Sequence, residues 1–404
     1  MRGRHRTTVV IAGGGVAALE GALALRELAG DRFDVELLAP ETHFWYRPLA
    51  VAEPFELGEP KRFELSELAA RAGASFSLGA LAEVDASRRE AYTAAGAPFP
   101  YDALLVACGA RPSPGVHGAL TFRGPADTDA IRHLLAEAAA RAVRRIAFAV
   151  PWGAVWSLPA YELALLTESW LRAHGLPDVG VALVTPEEEP LHVFGRRASD
   201  VVGALLAQRG IDVHTGAYPS NVRDGQLVLV PDGVVEADRV VALPRLGVPQ
   251  IDGVPQGRDG FVPVDAHCRV PGLPDVYAAG DVTSFPVKQG GIAAQQADAA
   301  AEAIAAAGGV DLVPRPFRPV LRGLILTGGE PRYLRTDIAR PGDASRIGTQ
   351  PLWWPPAKIA GRRLAPFFAE LTGEEAAAEP RTCPGAVPVE VELDPETRLL
   401  SPVA

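Results

Sequence analysis

Apolar positions near the start of the chain alternate between short continuous runs and stretches with helical spacing. Thr8–Ala12 is an apolar run of strand length, and a helical pattern follows from about Leu19 to Leu28. The same alternation predicts a strand at Asp34–Leu38, a helix at Glu64–Ala72, a strand at Ser75–Val84 and a hairpin around Gly96 between Glu90 and Pro100. Arg111–Pro125 is rich in Pro and Gly and marks a boundary. Beyond it the alternation restarts. Helices are predicted at Asp127–Ala142, Tyr161–His174 and Ser199–Arg209, with strands at Ile146–Val150, Gly180–Val184 and Ile211–His214. A hairpin holds Gln226–Val230, and Glu236–Ala242 leads back toward the first unit. A last strand at Asp275–Ala279 precedes a helix at Ile292–Ala307. Strands alternating with helices predict parallel sheets and an α/β class. From about Pro314 the pattern becomes Pro-rich and then irregular, with a late hairpin around Val387–Leu393 as one reading of the acidic tail.

Two glycine turns carry the candidate chemistry. Thr8–Ala12 runs straight into Gly13-Gly14-Gly15-Val16-Ala17-Ala18 and a helix, the strand–turn–helix context that a dinucleotide fingerprint requires. Gly13 makes the tight turn, Gly15 permits a pyrophosphate to approach, and Ala18 keeps helix and strand close. An ordinary glycine-rich loop is the alternative. Late in the chain, Gly280-Asp281 ends a strand and precedes Gly290-Gly291 and a helix. This order aims an acceptor and a positive helix end at one small molecule.

These stretches, with Tyr101-Asp-Ala-Leu-Leu-Val-Ala-Cys-Gly-Ala110 between them, resemble the FAD-binding domain of the pyridine nucleotide-disulfide oxidoreductase superfamily. The resemblance covers roughly residues 8–310. It implies two Rossmann-like units, the second inserted in the first: 1–125 with 245–313 for FAD, then 126–244, followed by a C-terminal region at 314–404. It also implies cofactor contacts. Gly13, Gly15, Val16, Ala17 and Ala18 would hold the ADP half of FAD, Gly280 and Asp281 the ribitol. Ala107, Cys108 and Gly109 would line the turn beside it, Leu81 would meet adenine, and Arg47 and Pro48 would pass near the pyrophosphate. Lys288, Gln289, Gly290, Gly291 and Ile292 would lie near the flavin, where a cation and a helix end stabilise negative charge. The ribose acid expected after the second strand is displaced: Ala39 stands there, and Glu41 is either its replacement or a solvated loop residue. Arg47 as a phosphate partner competes with a surface ion pair, and Lys288 with an exposed loop lysine.

The second unit departs from the family pattern. Its first strand leads into Pro151-Trp-Gly-Ala-Val-Trp-Ser-Leu-Pro159, where a second glycine fingerprint would stand. Only Gly153 remains, which removes the close backbone approach a nicotinamide dinucleotide uses. A degenerate second unit resembles the branch of sulfide:quinone oxidoreductase, flavocytochrome c sulfide dehydrogenase and type II NADH dehydrogenase. Yet none of the three cysteines, Cys108, Cys268 and Cys383, occupies that loop, so sulfide chemistry is not assigned. Glu162 is either a proton relay to flavin or quinone or a first-turn helix acid. Leu352–Phe368, with paired Trp, paired Phe and basic residues, suits a membrane interface or quinone mouth as well as a dimer contact or plain core.

Composition narrows the partners. A formal net charge of −10 argues against a nucleic-acid binder, and the cysteines have neither disulfide-scaffold nor zinc spacing. The expectation is an FAD-dependent oxidoreductase, cytoplasmic or peripheral to the inner face of the membrane, passing electrons from a small donor through flavin to an acceptor such as a quinone. An NAD(P)H-dependent flavin or quinone reductase and a flavin-holding partner-binding protein without turnover are the alternatives, and a homodimer is compatible with each.

Overall fold

The central strand of the first unit is Thr7–Ala12, and Val9 to Ala12 are almost wholly buried. A run of apolar residues covered on both faces is what a parallel sheet with helices on each side demands. In the computed structural model, which describes residues 6–329, 331–336, 346–353 and 357–373, this strand lies in the middle of a five-stranded sheet. The spatial order is Val276–Ala278, Ala103–Val106, Thr7–Ala12, Phe33–Ala39, Ser75–Leu78, with every pair parallel. A second five-stranded parallel sheet runs Leu120–Thr121, Arg239–Ala242, Arg145–Ala149, Gly180–Val184, Asp212–His214. Its segments fall between Ala103–Val106 and Val276–Ala278, so the second unit is inserted in the first. The chain crosses and returns through a two-stranded antiparallel link, Arg111–Ser113 against Arg245–Gly247.

The helices Val16–Ala29 and Gly290–Ala307 lie against one another on the first sheet. Both contacting faces are small, and a Cβ on Gly21 would stand 2.9 Å from the Leu105 side chain. Ala and Gly here let two helices sit close over the strands that carry the glycine turns.

Two segments differ from the sequence reading. The strand expected over Ser75–Val84 breaks at Gly79, whose N–H donates to the Ala39 carbonyl at 2.9 Å. Ser75–Leu78 stays in the large sheet, while Leu81–Asp85 starts a meander with Glu90–Thr93 and Pro98–Pro100. The C-terminal region is ordered into elements rather than irregular: Arg322–Ile325, Arg332–Arg335 and Arg346–Gly348 form an antiparallel sheet, and Leu364–Thr372 is a helix. Long-range docking decides this, since Pro-rich segments carry little local signal. The hairpin expected around Val387–Leu393 lies outside the described residues.

The helix Leu364–Thr372 is fastened to the first unit from two sides. Phe368 stacks on Phe44 with ring centroids 5.3 Å apart and touches Phe63 at 4.9 Å and Tyr46 at 5.3 Å. Glu20, wholly buried on Val16–Ala29, accepts the backbone N–H groups of Arg363 (2.7 Å) and Leu364 (2.8 Å) and so caps the helix. The Arg363 guanidinium pairs with Asp298 and with Glu27 (2.7 Å). Three carboxylates thus gather around one cation, and the charge of Asp298 acts on Glu20. Burial pushes Glu20 up to about 7 and Asp298 up to about 6, with each other's charge adding to the rise at Glu20. The docked helix therefore holds protons that a released one loses. Its docking is strongest at acidic pH, weakens as pH rises from the ordinary carboxylate range through about 7, and levels off above that. Amide exchange in 364–372, corrected for intrinsic rates, is expected to be faster at pH 8 than at pH 5.5; equal or slower exchange at pH 8 would contradict the linkage.

Candidate functional site

Gly13 closes the first strand with φ +148°, and its N–H donates to Leu38 O at 2.8 Å. A Cβ there would lie 2.1 Å from Ala107 O, so the turn after Thr7–Ala12 and the turn after Ala103–Val106 can meet only at a glycine. Ala107 N–H in turn donates to Ala12 O at 2.7 Å, and Gly109 follows with φ +68°. Gly15 precedes the helix with no side-chain cap, and a Cβ on it would meet nothing within 4 Å. The N–H groups of Val16, Ala17 and Ala18 therefore face open space at a positive helix end, while the Ala18 side chain is fully buried. This is the geometry of an anion cradle.

Gly280 brings the third turn to the same place. Its φ is +83°, and a Cβ would lie 3.1 Å from the Ala17 Cβ and 3.5 Å from the Ala293 Cβ. Asp281 follows, half-buried, and its carboxylate accepts no hydrogen bond from any described residue. Burial pushes its pKa up, and the positive charges of Lys288 and Arg47 oppose that rise. Arg47 itself is exposed, in the short turn Arg47–Leu49 that also holds Pro48.

Lys288 is buried rather than exposed. Its ammonium donates to Phe285 O at 2.7 Å and to Thr283 O, and lies 3.9 Å from the centre of the Phe261 ring. Burial lowers its pKa to about 8, against the pull of Asp281 and Asp259. Gln289 caps its own helix, accepting Ile292 N–H at 3.0 Å and donating to Arg322 O at 3.1 Å. Ile359 from the C-terminal region packs over Gly290, 3.0 Å from where a Cβ would stand, and a Cβ on Gly291 would lie 2.9 Å from Gln289 Oε1. Glu41 is exposed, and its charge reaches Cys108. The Cys108 thiol donates to Ala12 O at 3.3 Å and is pushed up to about 12, mainly by burial, which keeps it a thiol. Leu81 is buried among Val10, Leu38 and Val84.

Glu162 lies away from these turns in its partnership. Its carboxylate is 2% exposed and pairs with Lys358 Nζ at 2.6 Å, while also accepting Leu326 N–H at 2.9 Å. Burial raises its pKa and Lys358 opposes the rise. The sequence reading had no partner for this acid, because Lys358 is 196 positions away.

The second unit hides an acid that the sequence reading passed over. Glu187 follows the strand Gly180–Val184, the place where a ribose-binding carboxylate projects in dinucleotide folds. Here it is turned inward and accepts from Tyr161 OH (2.7 Å), Thr185 Oγ1 (2.9 Å) and Ser157 Oγ (3.0 Å). Burial raises its pKa against those three donors. Trp156 packs edge-on against Phe194 at 5.9 Å, and Trp152 stands exposed over the same loop. An acidic residue just after a strand was the available signal; two of its donors, Ser157 and Tyr161, come from the facing helix and its start.

The sequence profile described as pyridine nucleotide-disulphide oxidoreductase matches residues 7–307. The chain belongs to that family. It is 30% identical over 308 residues to the biphenyl dioxygenase system ferredoxin–NAD(+) reductase component of Paraburkholderia xenovorans, covering 70% of this chain and 69% of that one. It is 28% identical over 295 residues to an NADH dehydrogenase-like protein of Mycobacterium tuberculosis, covering 69% and 73%. The fold matches the sulfide:quinone oxidoreductase of Aquifex aeolicus with a TM-score of 0.77 at 20% identity, over 85% of this chain and 87% of that one. The protein is an FAD-dependent oxidoreductase of this family. The first cradle fits the cofactor, for it offers an uncapped helix end for pyrophosphate and a carboxylate with no internal donor for a hydroxyl-bearing chain. Among the described residues no helix is long and apolar enough to cross a membrane, and no group of His, Cys, Asp and Glu could hold a metal.

Proposed function

We propose that the protein moves electrons from a small donor other than a nicotinamide dinucleotide, through FAD, to a second acceptor of the quinone class. The observation that carries this reading is the contrast between the two units. The first cradle is open at Gly15 and Asp281, whereas the second keeps only Gly153 within Pro151–Ser157 and has its acid, Glu187, spent on three internal donors. In this reading the units are 1–125 with 245–313, then 126–244, then 314–404, and the cofactor contacts are those expected above. FAD supplies two-electron acceptance and stepwise or paired delivery. The chain supplies Gly13 to Ala18 for the diphosphate and Asp281 for the ribitol. Lys288 and Arg47 supply positive charge beside them, with burial lowering the Lys288 pKa to about 8. Glu162, bound to Lys358, serves as an anchor for the C-terminal region rather than as a proton relay.

The names of the relatives favour a second reading, an NAD(P)H-dependent reductase serving a ferredoxin or a quinone. Contact with a membrane or quinone through 352–368 would use Arg362 and Pro366, which stay outside, because Ile359, Leu364 and Phe368 face the protein.

Anaerobic titration separates the readings. The flavin absorbance is expected to persist over minutes with excess NADH or NADPH, and a purified protein bleached within seconds by either one would replace the first reading with the second. A protein that neither carries nor takes up FAD would remove both.

A further inference from the structure

Gly280 has a positive φ and directly precedes Asp281, so whatever sets the Gly280 peptide also sets the backbone from which that carboxylate projects. The Gly280 N–H donates to Gln296 Oε1 at 2.8 Å. Gln296 Nε2 donates to Thr283 Oγ1 at 3.1 Å, and Thr283 Oγ1 donates to Gly280 O at 2.9 Å. With the hydroxyl proton on Gly280 O, its shorter contact, the three bonds form a closed ring; the same hydroxyl lies 3.3 Å from Gln296 Oε1. Gln296 is 1% exposed and Thr283 fully buried, so no water can stand in for a lost member. On its far side the loop is fixed by backbone, with Ser284 N–H to Val262 O at 2.8 Å and Val262 N–H to Val282 O at 2.9 Å. Gln296 therefore closes the one side of the loop that faces the helix Gly290–Ala307.

We infer that Gln296 and Thr283 are positioning residues that aim Asp281 at the ribitol hydroxyls of FAD. This rests on the reading of Asp281 given above. Neither side chain touches the cofactor space itself; the Gln296 amide is consumed by Gly280 and Thr283. The neighbouring Gln295 has a different task, bonding Val320 through both its amide atoms (2.7 and 3.0 Å) and tying down the start of the C-terminal region.

Thr283→Val keeps the shape of the side chain and deletes the hydroxyl, Thr283→Ser keeps the hydroxyl, and Gln296→Leu removes the acceptor for Gly280. The measurement is release of FAD from the purified holoprotein on dilution, followed by flavin fluorescence, with melting in excess FAD as the control for folding. Thr283→Val and Gln296→Leu are expected to weaken FAD binding by about 10- to 100-fold, the consequence of an orphaned buried hydrogen-bonding group. Thr283→Ser is expected to stay within about threefold of the parent. Release from Thr283→Val at the parent rate overturns the inference, and so does equal weakening in Thr283→Ser, which would assign the effect to packing. Asp281→Ala separates this from the underlying reading. If Asp281→Ala holds FAD as the parent does, the ribitol assignment falls. If it loses FAD while Thr283→Val does not, only the positioning role falls.

Discussion

Lys358→Ala is expected to lower the melting temperature by about 5 °C, the equivalent of about 3–5 kcal/mol for stripping a buried ion pair of one partner. Glu162 sits at the start of the helix Leu158–Ala173 with 2% of its side chain exposed, and Lys358 is 10% exposed. With the cation gone, the carboxylate keeps one backbone donor, Leu326 N–H, in surroundings that already push its pKa up. It must then either stay charged without compensation or take up a proton that the unfolded chain would not hold at neutral pH. The second course makes the variant less unstable at pH 5 than at pH 8. The sign follows from a raised folded-state pKa, whose contribution is lost as pH rises. The double variant Glu162→Leu/Lys358→Met removes both charges and fills similar volume, and it should recover most of the loss. A Lys358→Ala protein that melts within about a degree of the parent would show that the pair contributes nothing and that the C-terminal region is held by its other contacts, those of Phe368, Arg363 and Gln295 among them.

Gly13→Ala is expected to cost more than about 4–5 kcal/mol, enough to yield little folded protein. The added Cβ would lie 2.1 Å from a backbone oxygen, Ala107 O, and φ +148° is closed to an alanine. No flexible side chain can move aside. Gly15→Ala is the informative counterpart. Its φ is −96°, and the Cβ meets no protein atom within 4 Å, so the polypeptide accepts it. The methyl group enters the space in front of the helix end, and FAD affinity should fall by about 10- to 100-fold as the ligand is overpacked. Expression yield and circular dichroism report on the first variant, and a flavin titration on the second. A Gly15→Ala protein that binds FAD like the parent would move the diphosphate elsewhere.

The two glycine substitutions also mark what was legible along the chain. Gly13 to Ala18 could be read directly, because a tight turn between a buried strand and a helix restricts local residue choice whatever surrounds it. The same holds for Gly280-Asp281 and for Pro151–Ser157, where Gly153 is the one glycine left. The alternating pattern placed the helices before Pro314 and most large-sheet strands to within a few residues; it missed the edge strand Leu120–Thr121, the helix Leu364–Thr372 and the break in Ser75–Val84, where one apolar run serves two sheets.

The sequence by itself determined the α/β class, the family and the glycine turns, since these depend on short-range pattern and on glycines whose backbone freedom no other residue has. Only the tertiary structure decided what the polar side chains of the interior do. Glu162 is paired with Lys358, which folds back onto it, Glu187 accepts from Ser157 and Tyr161, and Gln296 accepts the Gly280 N–H. Each of these depends on a partner from another element. A buried polar group is defined by the donor or charge that satisfies it, and which one arrives is settled by packing rather than by local sequence.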